Sequence, residues 1–343
     1  MPAKKILVTG GTGYIGSHTV VELINAGYEP VIVDNLSNSN AQIIDQIMKI
    51  TGRKPEFHNF DLCDEKKTLE FVHTHLEIEG VIHFAAFKSV GESVSQPLKY
   101  YRNNIYSLIN LLESFSGRRM NFVFSSSCTV YGEPDSLPVN ELAPVKKAES
   151  PYGNTKQIAE EILEETASVS ENLKVIALRY FNPVGAHESA LIGELPIGVP
   201  QNLIPFITQA AIGKRGNIIV FGDDYNTPDG TCIRDYIHVV DLAKAHVAAI
   251  KKLEAGTINY DVFNIGTGRG NSVMEVIHAF EDANNQKLNY TIGPRRPGDI
   301  IQIFGDVSKA ESELSWKAEL SLPQMMSSAW SWEKYIRDNP FQD

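Results

Sequence analysis

Cysteine is scarce in this chain of 343 residues. The three present, Cys63, Cys128 and Cys232, stand far apart and form no C-x-x-C pair. That spacing excludes a disulfide framework and a thiolate zinc site, and reads as reduced thiols of a cytoplasmic protein. Long apolar runs are also missing. None approaches the ~20 residues needed to cross a bilayer, so no membrane partner is expected. Met1-Pro-Ala-Lys-Lys leads straight into a short apolar strand, too brief for a signal peptide. Basic residues are outnumbered, 31 Lys and Arg against 42 Asp and Glu, and no basic tract offsets the formal charge of -11. The balance argues against a nucleic-acid partner. The nine histidines lack metal-ligand spacing. His73 and His75 come closest, within a helical stretch, and no metal is expected. There is no internal repeat and no low-complexity segment.

What is present is a long alternation of strands and helices. The length exceeds the roughly 250–300 residues at which a single core stops growing, which predicts two lobes. Lys5-Ile-Leu-Val-Thr9 is a strand, followed at once by Gly10-Gly-Thr-Gly-Tyr-Ile-Gly16 and a helix from Tyr14 to Ala26. Pro30-Val-Ile-Val-Asp34 is a second strand that ends in an acid. The glycines fit G-x-x-G-x-x-G (Gly10, Gly13, Gly16) or, from Gly11, G-x-G-x-x-G. Either spacing allows a tight turn and a close backbone approach to a pyrophosphate at the helix N-terminus, where free N–H groups and the dipole favour anions. Asp34 lies at the spacing of a carboxylate that binds the adenosine ribose and repels a 2′-phosphate, which favours NAD over NADP.

Further strands are expected at 56–60, closed by Asp61, and at 80–85, leaving Ala86, Phe87 and Lys88 above the sheet. Pro97 to Phe115 reads as a helix. A strand at Met120–Ser125 delivers Ser125-Ser126-Ser127 to the carboxyl edge, where open α/β sheets bind ligands. Ser150-Pro151 is a good helix start, which puts Tyr152 and Lys156 on the first turns. Four positions apart, they share one helix face. An ammonium group beside the phenol would pull its pKa down, and a phenol so tuned can take a proton from a sugar hydroxyl while Ser127 holds the same oxygen. Leu173–Tyr180 is a sixth strand. The alternation predicts an α/β fold with a doubly wound parallel sheet.

After Tyr180 the texture changes. Residues 181–235, rich in proline and glycine, read as a lid or second lobe and not as more sheet, apart from a helical stretch at 202–212. Asp235 to His246 enters an amphipathic helix, and Tyr260–Ile265 is another strand. Gly266-Thr-Gly-Arg-Gly270 lacks the spacing and the acid of a phosphate loop, and reads as a structural turn before a helix at 272–283. Gly293-Pro-Arg-Arg-Pro-Gly-Asp299 is a basic turn, and a helix with a tail follows Val307.

The motifs in order are Thr-Gly-Gly-Thr-Gly-Tyr-Ile-Gly-Ser-His (9–18), Asp-Asn-Leu (34–36), Val-Ile-His-Phe-Ala-Ala-Phe-Lys (81–88) and Val-Gly-Glu-Ser-Val (90–94). There follow Phe-Ser-Ser-Ser-Cys-Thr-Val-Tyr-Gly (124–132), Ser-Pro-Tyr-Gly-Asn-Thr-Lys (150–156) and Leu-Arg-Tyr-Phe-Asn-Pro-Val-Gly-Ala-His (178–187). Phe-Gly-Asp-Asp-Tyr (221–225), Asp-Gly-Thr-Cys-Ile-Arg-Asp-Tyr-Ile-His-Val (229–239) and Arg-Arg-Pro-Gly-Asp (295–299) complete them. Together they resemble the extended short-chain dehydrogenase/reductases, and within that superfamily the UDP-hexose 4-epimerase family. The resemblance implies a Rossmann-type NAD-binding domain at 1–185, with 236–270 packing back onto it. A smaller mixed α/β substrate lobe is implied at 186–235 and 271–343.

It also implies that NAD meets Gly10, Gly13, Tyr14, Ile15, Gly16, Asp34, Asn35, Asn38, Asp61, Leu62, Phe84, Ala85, Lys88, Asn103, Tyr152, Lys156 and Phe181. The UDP-sugar would meet Ser127, Tyr152, Asn182, Asn202, Leu203, Phe221, Arg234, Arg296 and Asp299. Ser127, Tyr152 and Lys156 would carry the chemistry: reversible epimerisation at C4 through a transient 4-keto sugar. A homodimer pairing helices 97–115 and 151–170 is implied as well. Two departures carry information. Related 4,6-dehydratases place an acidic pair after the active-site threonine, whereas Ser127-Cys128-Thr129 holds no carboxylate. Ile303 stands where the family carries a bulky tyrosine or a small cysteine that limits room for a C2 N-acetyl group, which implies partial acceptance of N-acetylated sugars. The alternatives are a UDP-glucuronate epimerase or decarboxylase, or a non-catalytic NAD-binding scaffold.

Overall fold

Short strands that are apolar on both faces are stable only when helices cover both sides of their sheet. The computed structural model, which describes residues 3–256, 258–296 and 299–341, has this form. Its first half runs β1 (Lys5–Thr9), α1 (Tyr14–Asn25), β2 (Glu29–Asp34), α2 (Ile43–Thr51), β3 (Glu56–Asn59), α3 (Glu65–Thr74) and β4 (Ile78–His83). It continues with α4 (Val90–Ser95), α5 (Pro97–Ser114), β5 (Met120–Ser125), a 3₁₀ turn at Cys128–Tyr131, α6 (Pro151–Ser168) and β6 (Leu173–Tyr180). The second half runs β7 (Asn182–Val184), α7 (Leu203–Ala211), β8 (Ile218–Phe221), β9 (Ile233–His238), α8 (Val239–Glu254) and β10 (Tyr260–Ile265). It ends with β11 (Gly270–Ser272), α9 (Val273–Asn284), β12 (Tyr290–Gly293), β13 (Gln302–Ile303), α10 (Ser308–Glu313) and α11 (Leu322–Asp338).

Seven strands form one parallel sheet in the order β10-β6-β5-β4-β1-β2-β3. This is a Rossmann-type doubly wound sheet, as the sequence predicts. Alternation along β1 sends Ile6 and Val8 into the core shared with Val20 and Leu23 of α1 and Leu242 and Ile250 of α8. Leu7 points the other way, into the core shared with Leu108 and Leu111 of α5 and Leu163 of α6. The chain turns to β2 on one side of β1 and to β4 on the other, so the switch point, and the crevice it opens, lies above β1 and β4.

Two smaller sheets follow. β9 pairs with β7 and β13 in parallel and with β11 antiparallel, and β8 pairs with β12. Helices α7, α9 and α11 share a third core through Ile207, Phe280 and Met326. Two expectations fail here. Residues 181–235 do contain strands (β7, β8 and the start of β9). Asp235 to His238 is strand as well, and α8 begins only at Val239, where His238 Nδ1 caps it by accepting from the Val240 amide at 3.1 Å. Strands of two to six residues in mixed sheets are too short to show a period of two, and the apolar spacing of α8 runs on from β9 without a break. Helices α2 and α4 were likewise not expected.

Candidate active site

The turn after β1 holds its shape because Gly16 has no side chain. A Cβ there would lie 2.2 Å from the Gly10 carbonyl oxygen and 2.9 Å from Gly11 Cα. The turn closes through Gly13 N to Gly10 O at 3.0 Å, and Ser17 N reaches Gly13 O at 2.9 Å. Gly13 caps α1 with backbone alone. Among the described residues no acceptor meets the amides of Tyr14, Ile15 and Gly16. Those donors, backed by the helix dipole, suit a pyrophosphate. Asp34 closes β2 beside them. Its Oδ2 accepts from Thr12 N at 3.2 Å, and its Oδ1 accepts from Leu36 N at 2.9 Å and Ser39 Oγ at 3.1 Å. The carboxylate is therefore fixed where a ribose would lie. Asn35 Nδ2 reaches Asp61 at 3.2 Å above buried Leu62, while Asn38 is exposed. Across the switch point the amides of Phe84 and Ala85 bond to Thr9. These residues fit a dinucleotide.

Ser127, Tyr152 and Lys156 meet at the same edge and are all buried. Ser150 accepts from Gly153 N at 3.1 Å, and this cap starts α6 so that Tyr152 and Lys156 point together into the crevice. Lys156 Nζ donates to the Ser125 carbonyl at 2.6 Å and lies over the Phe124 ring, 6.0 Å from the Tyr152 ring centroid. Burial lowers its pKa to about 8, although the Glu160 carboxylate acts to raise it. The expected depression of the tyrosine pKa is not found. Burial pushes the Tyr152 phenol well above its ordinary value and nearby Tyr180 adds to the shift, while Ser127 acts against it. Desolvation outweighs the lysine because the ammonium is tied to a carbonyl and does not touch the phenol.

Behind this group lie residues that sequence reasoning missed. Glu160, one turn beyond Lys156, is buried and accepts from Arg179 Nη2 at 2.6 Å, Arg179 Nε at 3.0 Å and Ser126 Oγ at 2.5 Å. The network ties α6 to β6 and to the serine run. Buried Asn104 donates to Thr155 Oγ1 at 3.0 Å and to the Phe87 carbonyl at 3.1 Å, and its Oδ1 accepts from Phe87 N at 2.9 Å. Its neighbour Asn103 donates to the same Oδ1. The K-x-x-x-E spacing from Lys156 to Glu160 places both on one helix face and is legible in the sequence; the partners of Glu160 are not.

The second half reaches the site unevenly. Arg234 of β9 lies alongside Ile303 of β13 and acts on the Cys128 thiol, which burial holds up at about 12. Ile303 packs with Phe181 and Cys128 in a small apolar cluster. Asn182 stands in β7, opposite Tyr236. Asn202 and Lys88 meet on one oxygen of Glu194, at 2.9 and 3.1 Å. Leu203 begins α7 behind Asn202. Phe221 is exposed at the end of β8 with the Arg296 guanidinium 5.7 Å from its ring, and Arg296 pairs with Asp299 at 2.6 Å. Pro297 and Gly298 of that motif lie outside the described residues. Asp235, a residue of the 229–239 motif to which the sequence reading gives no role of its own, is fully buried. It accepts from Thr267 N and Oγ1 at 2.8 and 2.7 Å, from Gly268 N at 3.1 Å and from Gly305 N at 3.4 Å. The 266–270 glycine cluster is thus a turn wrapped around an internal carboxylate.

Comparison with known proteins decides the family. The chain is 50% identical over 340 residues to the UDP-glucose 4-epimerase of Dictyostelium discoideum, spanning 99% of this chain and 98% of that protein. It belongs to the UDP-glucose 4-epimerase family. A broader family model, GDP-mannose 4,6 dehydratase, matches residues 7–329. Among solved structures, the UDP-glucose-4-epimerase of Stenotrophomonas maltophila with NAD and formylated UDP-arabinopyranose superimposes with a TM-score of 0.95 at 47% identity, covering 98% of this chain and 99% of that one. The Bifidobacterium longum enzyme in complex with NAD+ and UDP gives 0.92 at 46% identity, covering 97% and 99%.

Proposed function

We propose that this chain interconverts UDP-glucose and UDP-galactose by NAD-dependent epimerisation at C4. The observation that carries the proposal is the meeting of Ser127, Tyr152 and Lys156 at the sheet edge beside the start of α1, which has no side-chain cap. Residues 1–185 with 236–270 form the cofactor half in this reading. The amides of Tyr14, Ile15 and Gly16 would hold the pyrophosphate, Asp34 the adenosine ribose, and Lys156 the nicotinamide ribose. NAD, when bound, supplies the hydride acceptor, which becomes the donor in the return step. Tyr152 takes the proton of the sugar O4 hydroxyl and returns it. Tyr152 must act as the phenolate to take that proton and as the phenol to return it; burial works against the phenolate, and the Lys156 ammonium one turn away favours it. Ser127 holds O4 by a hydrogen bond. Arg234 and Arg296 bind the diphosphate, to which permanently charged planar guanidinium groups are suited.

Ile303, buried against Phe181 and Cys128, sets the room at C2, and its intermediate size supports turnover of UDP-N-acetylgalactosamine as well as UDP-galactose. Undetectable turnover of the N-acetylated sugar would remove that part. The exposed Leu98 and Tyr106, 81% and 57% accessible on one face of α5, support a homodimer built on α5 and α6. The unpaired thiols support a cytoplasmic location.

The test is to denature the purified protein, identify the released nucleotide and compare Tyr152→Phe. Near one NAD per chain is expected in both. Turnover falls by orders of magnitude in the variant, and full activity there would overturn the mechanism.

A further inference from the structure

β3 is the outer strand of the seven-stranded sheet. Its first residue, Glu56, and His58 two positions on share one face of the strand. His75 is the C-cap of α3, the helix that follows. The three side chains converge. Glu56 Oε1 lies 2.8 Å from His58 Nε2 and 3.1 Å from His75 Nε2. Phe71 stacks on His75 with ring centroids 4.2 Å apart and meets His58 edge-on at 4.9 Å, so both imidazoles are held in place.

The proton positions matter. His75 Nδ1 is 2.7 Å from the Phe71 carbonyl oxygen. A carbonyl only accepts, so Nδ1 carries the proton, and the Thr74 hydroxyl 3.1 Å away does not change that. In the neutral ring, Nε2 then presents a lone pair to a carboxylate oxygen. Two acceptors in contact repel unless a cation stands between them. A histidine whose second nitrogen donates to a backbone carbonyl is also oriented as metal-ligating histidines are. Lys5 Nζ engages the other oxygen, Glu56 Oε2, at 3.2 Å, and Glu29 and Glu77 share that lysine. Oε1 is left to the two histidines.

We propose that Glu56, His58 and His75 bind a divalent transition-metal ion, Zn²⁺ or Cu²⁺, that clamps the end of α3 to the edge strand. Imidazole and carboxylate ligands suit such ions. The ligand atoms lie within 4.8 Å of one another. Bonds of about 2.0–2.2 Å require ligand atoms roughly 3.4 Å apart, so Glu56 Oε1 must draw back by about 0.6 Å from His58 Nε2 and by about 0.3 Å from His75 Nε2. Three protein ligands leave a fourth coordination position open. The metal takes no part in the C4 chemistry. Glu56 starts β3, whereas Asn59 at the strand's other end pairs with Asp34 at the cofactor edge.

The test uses the NAD-loaded enzyme, stripped with a chelator, dialysed and titrated calorimetrically with Zn²⁺ near neutral pH. One equivalent per chain is expected in the wild type and in His73→Ala, whose side chain is exposed on the same helix. It is lost in His58→Ala and His75→Ala. Zn²⁺ raises the unfolding temperature of the wild type and not of those two variants, and Cu²⁺ in its place gives an electron paramagnetic resonance spectrum with imidazole nitrogen couplings that vanish with either histidine. Unchanged epimerase activity shows that the variants are folded; His58→Gln and His75→Gln replace them if the alanine variants are not. No Zn²⁺ uptake by the wild type, the behaviour of a merely protonated cluster, would overturn the proposal. So would an unaltered isotherm in the histidine variants.

Discussion

Two glycine-rich turns in this protein precede helices and use their amides in opposite ways. At residues 10–16 the turn leads into α1, which Gly13 caps without a side chain, and three amides are left facing the switch point. At residues 266–270 the amides of Thr267 and Gly268 are spent on the Asp235 carboxylate from the neighbouring strand. The helix that follows is closed too: Ser272 and Glu275 form a capping box at the start of α9, and Ser272 Oγ also bonds to Asp229. Glycine content alone does not make an anion site. What separates the two is whether the protein supplies its own anion.

The largest effect should come from Gly16→Ala. The added carbon would sit 2.2 Å from a backbone oxygen that cannot rotate away, so the turn must shift. Displacing reacting groups by about 1 Å costs on the order of 100-fold in rate, and at least that loss is expected in kcat/KM. Little NAD should remain after gel filtration, while the melting curve still reports a folded chain. Retention of a full equivalent of NAD would mean that the open turn is not the pyrophosphate cradle.

Asp235→Ala comes next, and it should act on stability instead. Four donors lose a fully buried acceptor, Gly305 N in a buried position and the Thr267 and Gly268 groups in half-buried ones. At roughly 1–3 kcal/mol for each unsatisfied buried group, partly relieved by water, the loss should be about 3 kcal/mol or more in denaturant unfolding. The pH dependence has a definite sign. Burial raises the Asp235 pKa in the folded state, against the hydrogen bonds from Thr267, Gly305 and Gly268. Between the ordinary carboxylate value of about 3.9 and the raised one, the folded state binds more protons than the unfolded state. Asp235 therefore makes the wild type less stable as pH rises through that window, and Asp235→Asn should flatten the slope. An equal slope in wild type and variant would show that the turn does not hold its anion at a desolvation cost.

Part of this contrast is legible in the sequence. The strands of the large sheet are continuous apolar runs bounded by Gly, Pro or Asp, because both of their faces are buried; β1, β5, β6 and β10 fall where the pattern puts them. The spacing of Tyr152 and Lys156 also reads directly, since i and i+4 share a helix face. Whether the lysine reaches the phenol does not, because that depends on the Ser125 carbonyl, 31 residues away in the chain. Asp235 shows the same limit. Its acceptors' partners come from residues 267, 268 and 305, and its own segment continues into the apolar spacing of α8, so a strand residue reads as helix. The Glu56–His58–His75 cluster is likewise nonlocal: the sequence draws attention to His73 beside His75, whereas the strand supplies His58. Local periodicity predicts elements; it does not predict which distant dipole or charge meets them.

The smallest effect, and the sharpest control, is Gly268→Ala. Gly268 has φ of +72°, a conformation that costs a residue with a Cβ about 1–2 kcal/mol. The nearest atoms to that Cβ would be Val307 Cγ2 at 3.4 Å and Gly305 O at 3.7 Å, which are ordinary contacts, so strain is the whole cost. A loss of about 1 kcal/mol in denaturant unfolding is expected, with NAD content and kcat/KM unchanged. Both variants replace a glycine by alanine in a turn before a helix. The steric clash at Gly16 falls on the amides that face the ligand, whereas the strain at Gly268 falls on amides already bonded to Asp235. Should Gly268→Ala empty the cofactor site, the second turn would be coupled to the first, and the division between an open and a self-satisfied glycine loop would fail.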